Sequence, residues 1–454
     1  MFFGRKKELK YLKGIYDSKQ AEFVTLYGRR RIGKTELLKQ AYLEENHIFY
    51  SAKECTDYEQ LRSLSEKILG KDKYFDRWET LLKHIQELAS REKLVLILDE
   101  FPYMVKGNPA LPSILQNAWD HGLKDTRIKI IICGSSMSFM EKEVLSEKNP
   151  LYGRMTGIYK VDELTFGEMK LFFPSYNDEQ ILSVYSILGG VPHYLLQFNH
   201  EKSIEENICE RILSKGSVLY NEVDFLLKQE LREPQVYYTI IEKIAMGSTK
   251  LNEIHTKTQI STSKLSVYLK NLIELGIIEK EYPVTERLKV RVNLHSGIYK
   301  LSTHFFLFYF RFVFPNISDL EEGLVQDVYS YDIQPDFFSY VGPIYEKVCR
   351  TLLIEKIRTE KYPYRIKYIG RWWDKQQEID ILGFTEDRYI IGECKWRNKK
   401  LGIDVYKNMK LKTESNFRVD DVHYYLFSKS GFTKELLEEE NKNDHLHLFE
   451  SITI

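Results

Sequence analysis

In the first third of the chain, apolar residues fall in unbroken runs instead of alternating. Phe23-Val24-Thr25-Leu26-Tyr27, Leu94-Val95-Leu96-Ile97-Leu98 and Lys129-Ile130-Ile131-Ile132-Cys133-Gly134 are the clearest. Such runs predict strands covered on both faces, as in a parallel sheet layered between helices. Further along, the rhythm becomes helical. Tyr237-Tyr238-Thr239-Ile240-Ile241-Glu242-Lys243-Ile244 repeats every three to four positions, Lys250-Leu251-Asn252-Glu253-Ile254 opens a second helix, and Ser261-Thr262-Ser263 caps a third over 264–275. Gly276 stops that helix, and alternating runs at 277–282 and 297–301 predict a β-hairpin. The last third predicts a helix at 343–353, strands at 365–370, 378–384 and 389–396, a helix near 403–414 and a strand at 422–427. Residues 317–332, with Ser318, Asp319 and Glu321-Glu322, read as a linker or irregular connector.

At 454 residues the chain has room for about three domains of roughly 150 residues. A hydrophobic share of 43% with 29% charged residues excludes disorder, and 24 Gly with 12 Pro exclude collagen-like and low-complexity readings. The 66 basic and 66 acidic residues cancel, which removes any global basic field for nucleic acid. Segment 235–316 is an exception, with 11 Lys/Arg against 6 Asp/Glu. The five cysteines stand singly with no CxxC pair, so they supply neither a zinc site nor a disulfide framework and suit a reducing cytosol. Met1-Phe2-Phe3 runs straight into Gly4-Arg5-Lys6-Lys7-Glu8, unlike a signal peptide. The densest apolar run, Phe305 to Phe314, holds Arg311 and is too short for a bilayer core of about 30 Å. A soluble cytoplasmic protein with no membrane partner is expected.

The chemistry begins just after the first apolar run. Gly28-Arg29-Arg30-Arg31-Ile32-Gly33-Lys34-Thr35 fits GxxxxGK[ST], between a predicted strand and a helical pattern. Gly28 and Gly33 let backbone N–H groups curl around phosphate, and the helix N-terminus adds positive potential. Lys34 reaches the β- and γ-phosphates, and the Thr35 hydroxyl is placed for Mg²⁺. The second apolar run ends in Asp99-Glu100, at the carboxyl end of a strand where ligands of such sheets sit. Asp99 is placed to hold Mg²⁺ through water and Glu100 to polarise the attacking water. Ser135, after the third run, either senses the γ-phosphate or caps the next turn.

Phe3-Gly4-Arg5, the P-loop, Asp99-Glu100, Cys133-Gly134-Ser135-Ser136, Pro150-Leu151-Tyr152-Gly153-Arg154 and Gly189-Gly190-Val191-Pro192 occur in order. This set resembles the archaeal-type ATPases of the STAND group, relatives of AAA+ proteins. The resemblance implies that Gly4, Arg5 and Pro192 flank the adenine of ATP and that Arg154 is the γ-phosphate arginine. If Arg154 acts in trans, a homo-oligomer is required.

The three helices and hairpin of the middle region resemble a winged helix-turn-helix. Its third helix would enter a major groove with Ser263, Lys264, Ser266, Tyr268 and Lys270. In the last region, Glu393 and Lys395 share one strand face, and Glu378 shares that of Asp380. Two carboxylates and a lysine thus converge where Mg²⁺ finds oxygen ligands, and Glu346 on the preceding helix is a further candidate ligand. Gly370-Arg371-Trp372-Trp373-Asp374, Glu378-Ile379-Asp380 and Gly392-Glu393-Cys394-Lys395-Trp396 resemble the PD-(D/E)xK nuclease-like domain fused to such ATPases.

The chain therefore reads as multidomain α/β. A P-loop ATPase core with a parallel sheet (1–164) precedes a helical lid (165–233), a winged helix-turn-helix (234–316), a linker (317–332) and a PD-(D/E)xK nuclease-like domain (333–454). The expected function is an ATP-binding switch that controls a Mg²⁺-dependent DNA nuclease. The alternative is a regulatory ATPase that binds DNA or a partner protein and whose nuclease-like domain is inactive.

Overall fold

A computed structural model describes residues 2–231, 233–288, 297–359, 366, 368–385, 388–417 and 421–450. The chain divides into two compact units. The first comprises Met1–Phe172, Gly190–Gln197 and Glu274–Gly276, and the second Phe173–Gly189, Phe198–Ile273 and Ile277–Ile454.

The first unit is built on strands β1 (Glu22–Tyr27), β2 (His47–Ser51), β3 (Leu94–Asp99), β4 (Ile128–Gly134) and β5 (Gly157–Lys160), in the order β2-β3-β4-β1-β5. All its pairings are parallel. The unbroken apolar runs are explained by the two buried faces. Leu94, Leu96, Leu98, Ile130 and Ile132 join one core, while Val95, Ile97, Ile131 and Cys133 join the other. Each such side chain contributes about 1.5–3 kcal/mol on burial, so neither face tolerates a polar replacement. The carboxyl ends of β1 and β3 then carry the P-loop and Asp99 to the same edge of the sheet.

In the second unit, helices Pro234–Ala245, Leu251–Thr258 and Thr262–Glu274 bury Ile240, Ile241, Ile244, Ile254, Leu265, Leu269 and Leu272. An antiparallel ribbon follows, β6 (Ile278–Glu281) with β7 (Ile298–Leu301). On the third helix Ser263, Lys264, Ser266 and Lys270 are exposed, whereas Tyr268 packs edge-on against Tyr237 with ring centres 5.0 Å apart. The aromatic run is helical and buried. It spans His304–Phe308 and a wide π-helical turn at Tyr309–Val313, with Phe308 and Phe312 both against Tyr340.

Residues 317–332 are not irregular. They form Ile317–Glu321, Val325–Asp327 and most of a π-helical turn at Val328–Ile333, broken at Gly323 where φ is +86°. Leu320, Val328 and Ile333 are buried, so the polar residues that suggested a connector are the outer faces of packed helices.

The C-terminal sheet holds β8 (Tyr368–Trp373), β9 (Glu378–Phe384), β10 (Arg388–Lys395), β11 (Asp421–Ser428) and β12 (Leu446–Glu450), in the order β12-β11-β10-β9-β8. β8, β9 and β10 pair antiparallel, whereas β10, β11 and β12 pair parallel. The strand expected at 365–370 begins at Tyr368 and runs to Trp373, with Arg365 and Lys367 outside the described residues. Its bulge between Gly370 and Trp372 breaks the alternation from which strand ends are read. Neither β12 nor the helix Lys434–Glu440 before it was anticipated, because their short, charge-rich segments carry little periodic signal.

Candidate functional site

The P-loop follows β1 because its backbone takes shapes that side chains resist. Gly33 has φ +84° and Arg31 has φ +70°. At Gly28 a Cβ would lie 2.4 Å from the Val161 carbonyl oxygen, so only glycine fits. Gly33 is the N-cap of the helix Lys34–Ala41, whose first turn has no side-chain cap. Lys34 is buried, and its Nζ donates to the carbonyls of Gly28 and Arg29, each at 2.8 Å. Burial lowers its pKa, a pull that nearby Glu100 and Asp99 oppose. The Thr35 hydroxyl donates to Asp99 Oδ2 at 2.8 Å, which joins the ends of β1 and β3.

Glu100 has φ +53°, an unfavourable left-handed conformation for a residue with a side chain. Ser135 donates its hydroxyl to Glu100 Oε1, so this serine meets the acid after β3. Arg5, also left-handed at φ +62°, is buried; its guanidinium donates to the Ile32 carbonyl at 2.9 Å and to that of Asp162 at 2.6 Å. Glu168 accepts from the Arg5 backbone N–H at 2.7 Å, and a Cβ on Gly4 would press on the Glu168 side chain. Pro192 lies beside the P-loop, since a Cβ on Gly33 would sit 3.8 Å from its Cγ, and the next N–H, of His193, donates to the Arg31 carbonyl. Arg154 instead pairs with Asp120, its Nη2 3.0 Å from Oδ2. The structure therefore brings Gly4, Arg5, Gly28, Gly33, Lys34, Thr35, Asp99, Glu100, Ser135 and Pro192 around the loop and its adjoining strand ends. It engages Arg154 elsewhere, at Asp120.

A second cluster lies in the C-terminal sheet. Carboxylate oxygens of Glu346, Glu378 and Asp380 all lie within 4.8 Å of one another. Asp380 is buried, its Oδ2 accepting from the Cys394 N–H at 2.8 Å. Burial, with Glu393 and Glu346 nearby, pushes its carboxyl up to about 7. Burial also raises Glu346, an effect that Arg371 counters. Glu393 stands outside the three-carboxylate group and pairs with Lys395, Nζ to Oε1 2.5 Å. Burial works against the Lys395 charge, but Glu393 and Asp380 more than offset it and raise its pKa. Arg371 pairs with Glu378 and, at 3.1 Å, with Glu281 of the β6–β7 ribbon. An open cleft lined by Gln377, Glu393, Lys395, Asn408 and Lys412 adjoins the cluster.

Residues 2–198 match the model of an ATPase domain predominantly from Archaea, and residues 309–410 match a family described as archaeal and bacterial proteins of unknown function. An uncharacterized protein of Methanocaldococcus jannaschii is 37% identical over 420 residues, covering 90% of this chain and 92% of that protein. The chain belongs to this archaeal ATPase family. A second protein of that organism, an uncharacterized ATP-binding protein, is 46% identical over 48 residues, 11% of this chain and 80% of that one. Among solved structures, the Walker-type ATPase of Pyrococcus abyssi aligns with a TM-score of 0.52 and 18% identity, over 68% of this chain and 96% of that one. That likeness concerns the fold alone.

The ATPase thus has an ATP-binding P-loop domain and a separate C-terminal sheet domain. Sequence reasoning missed Glu168 and also Glu163, which meets Arg29 of the P-loop at 3.5 Å. Glu168 had a signal, because Thr165 and Glu168 form a capping box. Glu378 was seen to share the Asp380 face without being counted as a ligand. Arg371 stood in a quoted motif without a role, since only the pairing of β8 with β9 brings it to Glu378. Among the described residues, no helix is long and apolar enough to cross a membrane.

Proposed function

We propose that this protein is an ATP-driven switch that controls a Mg²⁺-dependent DNA nuclease. In this reading Lys34, Gly28 and Gly33 hold the ATP phosphates, and Gly4, Arg5 and Pro192 flank the base. Thr35 and Asp99 hold Mg²⁺, Glu100 orients water, Ser135 keeps Glu100 in place, and Arg154 leaves Asp120 to meet the γ-phosphate, in cis or from a second copy. Lys34 would exchange its two carbonyl partners for phosphate oxygens, so the resting loop is satisfied without nucleotide.

The nuclease reading rests on one observation: Glu346 from a helix and Glu378 and Asp380 from β9 crowd within 4.8 Å of one another. Like-charged carboxylates so close are costly without a cation, and Asp380 is raised first by burial and then by Glu393 and Glu346. An all-oxygen donor set fits Mg²⁺ and does not favour softer metals. Bound there with Glu393, Mg²⁺ would acidify water and stabilise charge on a phosphodiester. Lys395 neutralises the developing charge or orients the nucleophile, and the helix Thr262–Glu274 of the proposed winged helix contacts DNA. The test is divalent-metal-dependent cleavage of plasmid and single-stranded DNA, with and without ATP. Equal residual cutting by wild type and Lys395→Ala would remove the nuclease role.

The second reading, a regulatory ATPase that only binds DNA or a partner protein, is favoured by the internal pairing of Lys395 with Glu393 and of Arg371 with Glu378. DNA retention without cleavage under any divalent metal would support it.

A further inference from the structure

At the other end of the same sheet, four side chains of a different chemical kind share one face. Asp421 and His423 lie two residues apart on β11, so they point the same way. The parallel register sets Tyr424 opposite Leu446, which places His445 and His447 on the same side of the neighbouring edge strand, β12. The His423 and His445 rings stack with centres 4.5 Å apart, and His423 and His447 at 5.5 Å. Asp421 is level with Arg388, the first residue of β10, whereas Lys395 is the last. Seven steps of strand, about 23 Å, therefore separate this end from Lys395.

Close contacts at this end bring three donor atoms together. Arg388 Nε holds Asp421 Oδ2 at 2.7 Å. The other oxygen, Oδ1, is buried and has no hydrogen-bond donor among the described residues. Two imidazole nitrogens face it, His423 Nε2 at 3.6 Å and His445 Nδ1 at 3.5 Å. Ligands on a tetrahedral ion with bonds of about 2.0–2.1 Å lie about 3.3 Å apart, so the spacing is close to that of a coordination shell. His423 Nδ1 lies 3.2 Å from His447 Nε2, and a proton shared there leaves His423 Nε2 as the lone-pair nitrogen toward Asp421.

We propose that Asp421, His423 and His445 bind a transition-metal dication of the zinc class, with His447 orienting His423, and that the ion pins β12 to β11. Two imidazoles and one carboxylate select zinc, cobalt or nickel over magnesium and calcium. His445 is half exposed and its Nδ1–H donates to the Val422 carbonyl at 3.2 Å, so on binding this ring leaves that carbonyl, tilts out of the stack and carries its proton on Nε2, which frees Nδ1 for the ion. The site is independent of the carboxylate cluster and stands or falls without it.

The test is Zn²⁺ binding to the full-length protein with Mg²⁺ in large excess, and the visible spectrum after Co²⁺ loading. The expected result is one equivalent bound, a tetrahedral-type Co²⁺ spectrum, and both retained in Asp380→Ala. His445→Ala, which removes a half-exposed ring, should weaken binding at least tenfold with the circular dichroism unchanged. His447→Ala should weaken it by roughly tenfold. No bound Zn²⁺, displacement by Mg²⁺, or equal affinity in wild type and His445→Ala would each overturn the site.

Discussion

Lys34 donates to the carbonyls of its own loop, whereas Lys395 pairs with a carboxylate two residues away on its own strand. The P-loop is a backbone device: Gly28, Gly33 and a helix terminus make a cradle out of contiguous chain, and the two acids arrive together at the end of β3, one strand removed from β1. The C-terminal cluster is a side-chain device in which a helix and two strands each contribute charges, and Arg371 and Lys395 balance part of the acid. A cradle built from backbone stays formed when its ligand leaves. A cluster built from like charges holds energy that a cation would release.

The sharpest way to break this comparison is Lys34→Ala, which should reduce ATP affinity at least a hundredfold in a fluorescent-nucleotide titration. Unchanged affinity would overturn the assignment. Glu100→Gln should keep nucleotide binding and slow hydrolysis by roughly 10²–10⁴-fold, measured as phosphate release. Lys395→Ala should lower DNA cleavage by roughly 10²–10³-fold with ATP affinity untouched, so the two lysines separate the two activities. Two glycines sharpen the structural half. A Cβ at Gly28 strikes the Val161 backbone, while at Gly392 it meets only the Ile381 side chain at 2.8 Å. Gly28→Ala should therefore cost about 1–3 kcal/mol in urea unfolding, and Gly392→Ala less. Lys264→Ala, on the exposed face of its helix, is the smallest effect: weaker DNA binding by a few-fold, with the salt slope reduced by about one.

This contrast also explains what could be read from the residues alone. The P-loop, Asp99 and Glu100 were legible because their chemistry is contiguous and the flanking strands are apolar throughout. Glu393 and Lys395 were legible through strand alternation. The pairing of Glu378 with Arg371 depends on cross-strand register and a bulge, which leave no local trace. Arg154 was placed by its motif, but Asp120, which holds it, lies 34 positions away in sequence. Residues 317–332 misled because surface helices expose the same polar residues that a linker does.

The wide turn at Tyr309–Val313 has a consequence for how the chain tolerates changes of length. Each residue inserted into a regular helix rotates everything after it by about 100°. A turn closed from i to i+5 accommodates one extra residue locally, so the flanking segments keep their facing as though it were absent. This helix therefore carries a splice between His304–Phe308 and Ile317–Glu321. Loss of one residue there should heal to an ordinary turn and leave Phe308 and Leu320 in place, whereas the same loss inside Thr262–Glu274 would turn Leu269 and Leu272 away from their core.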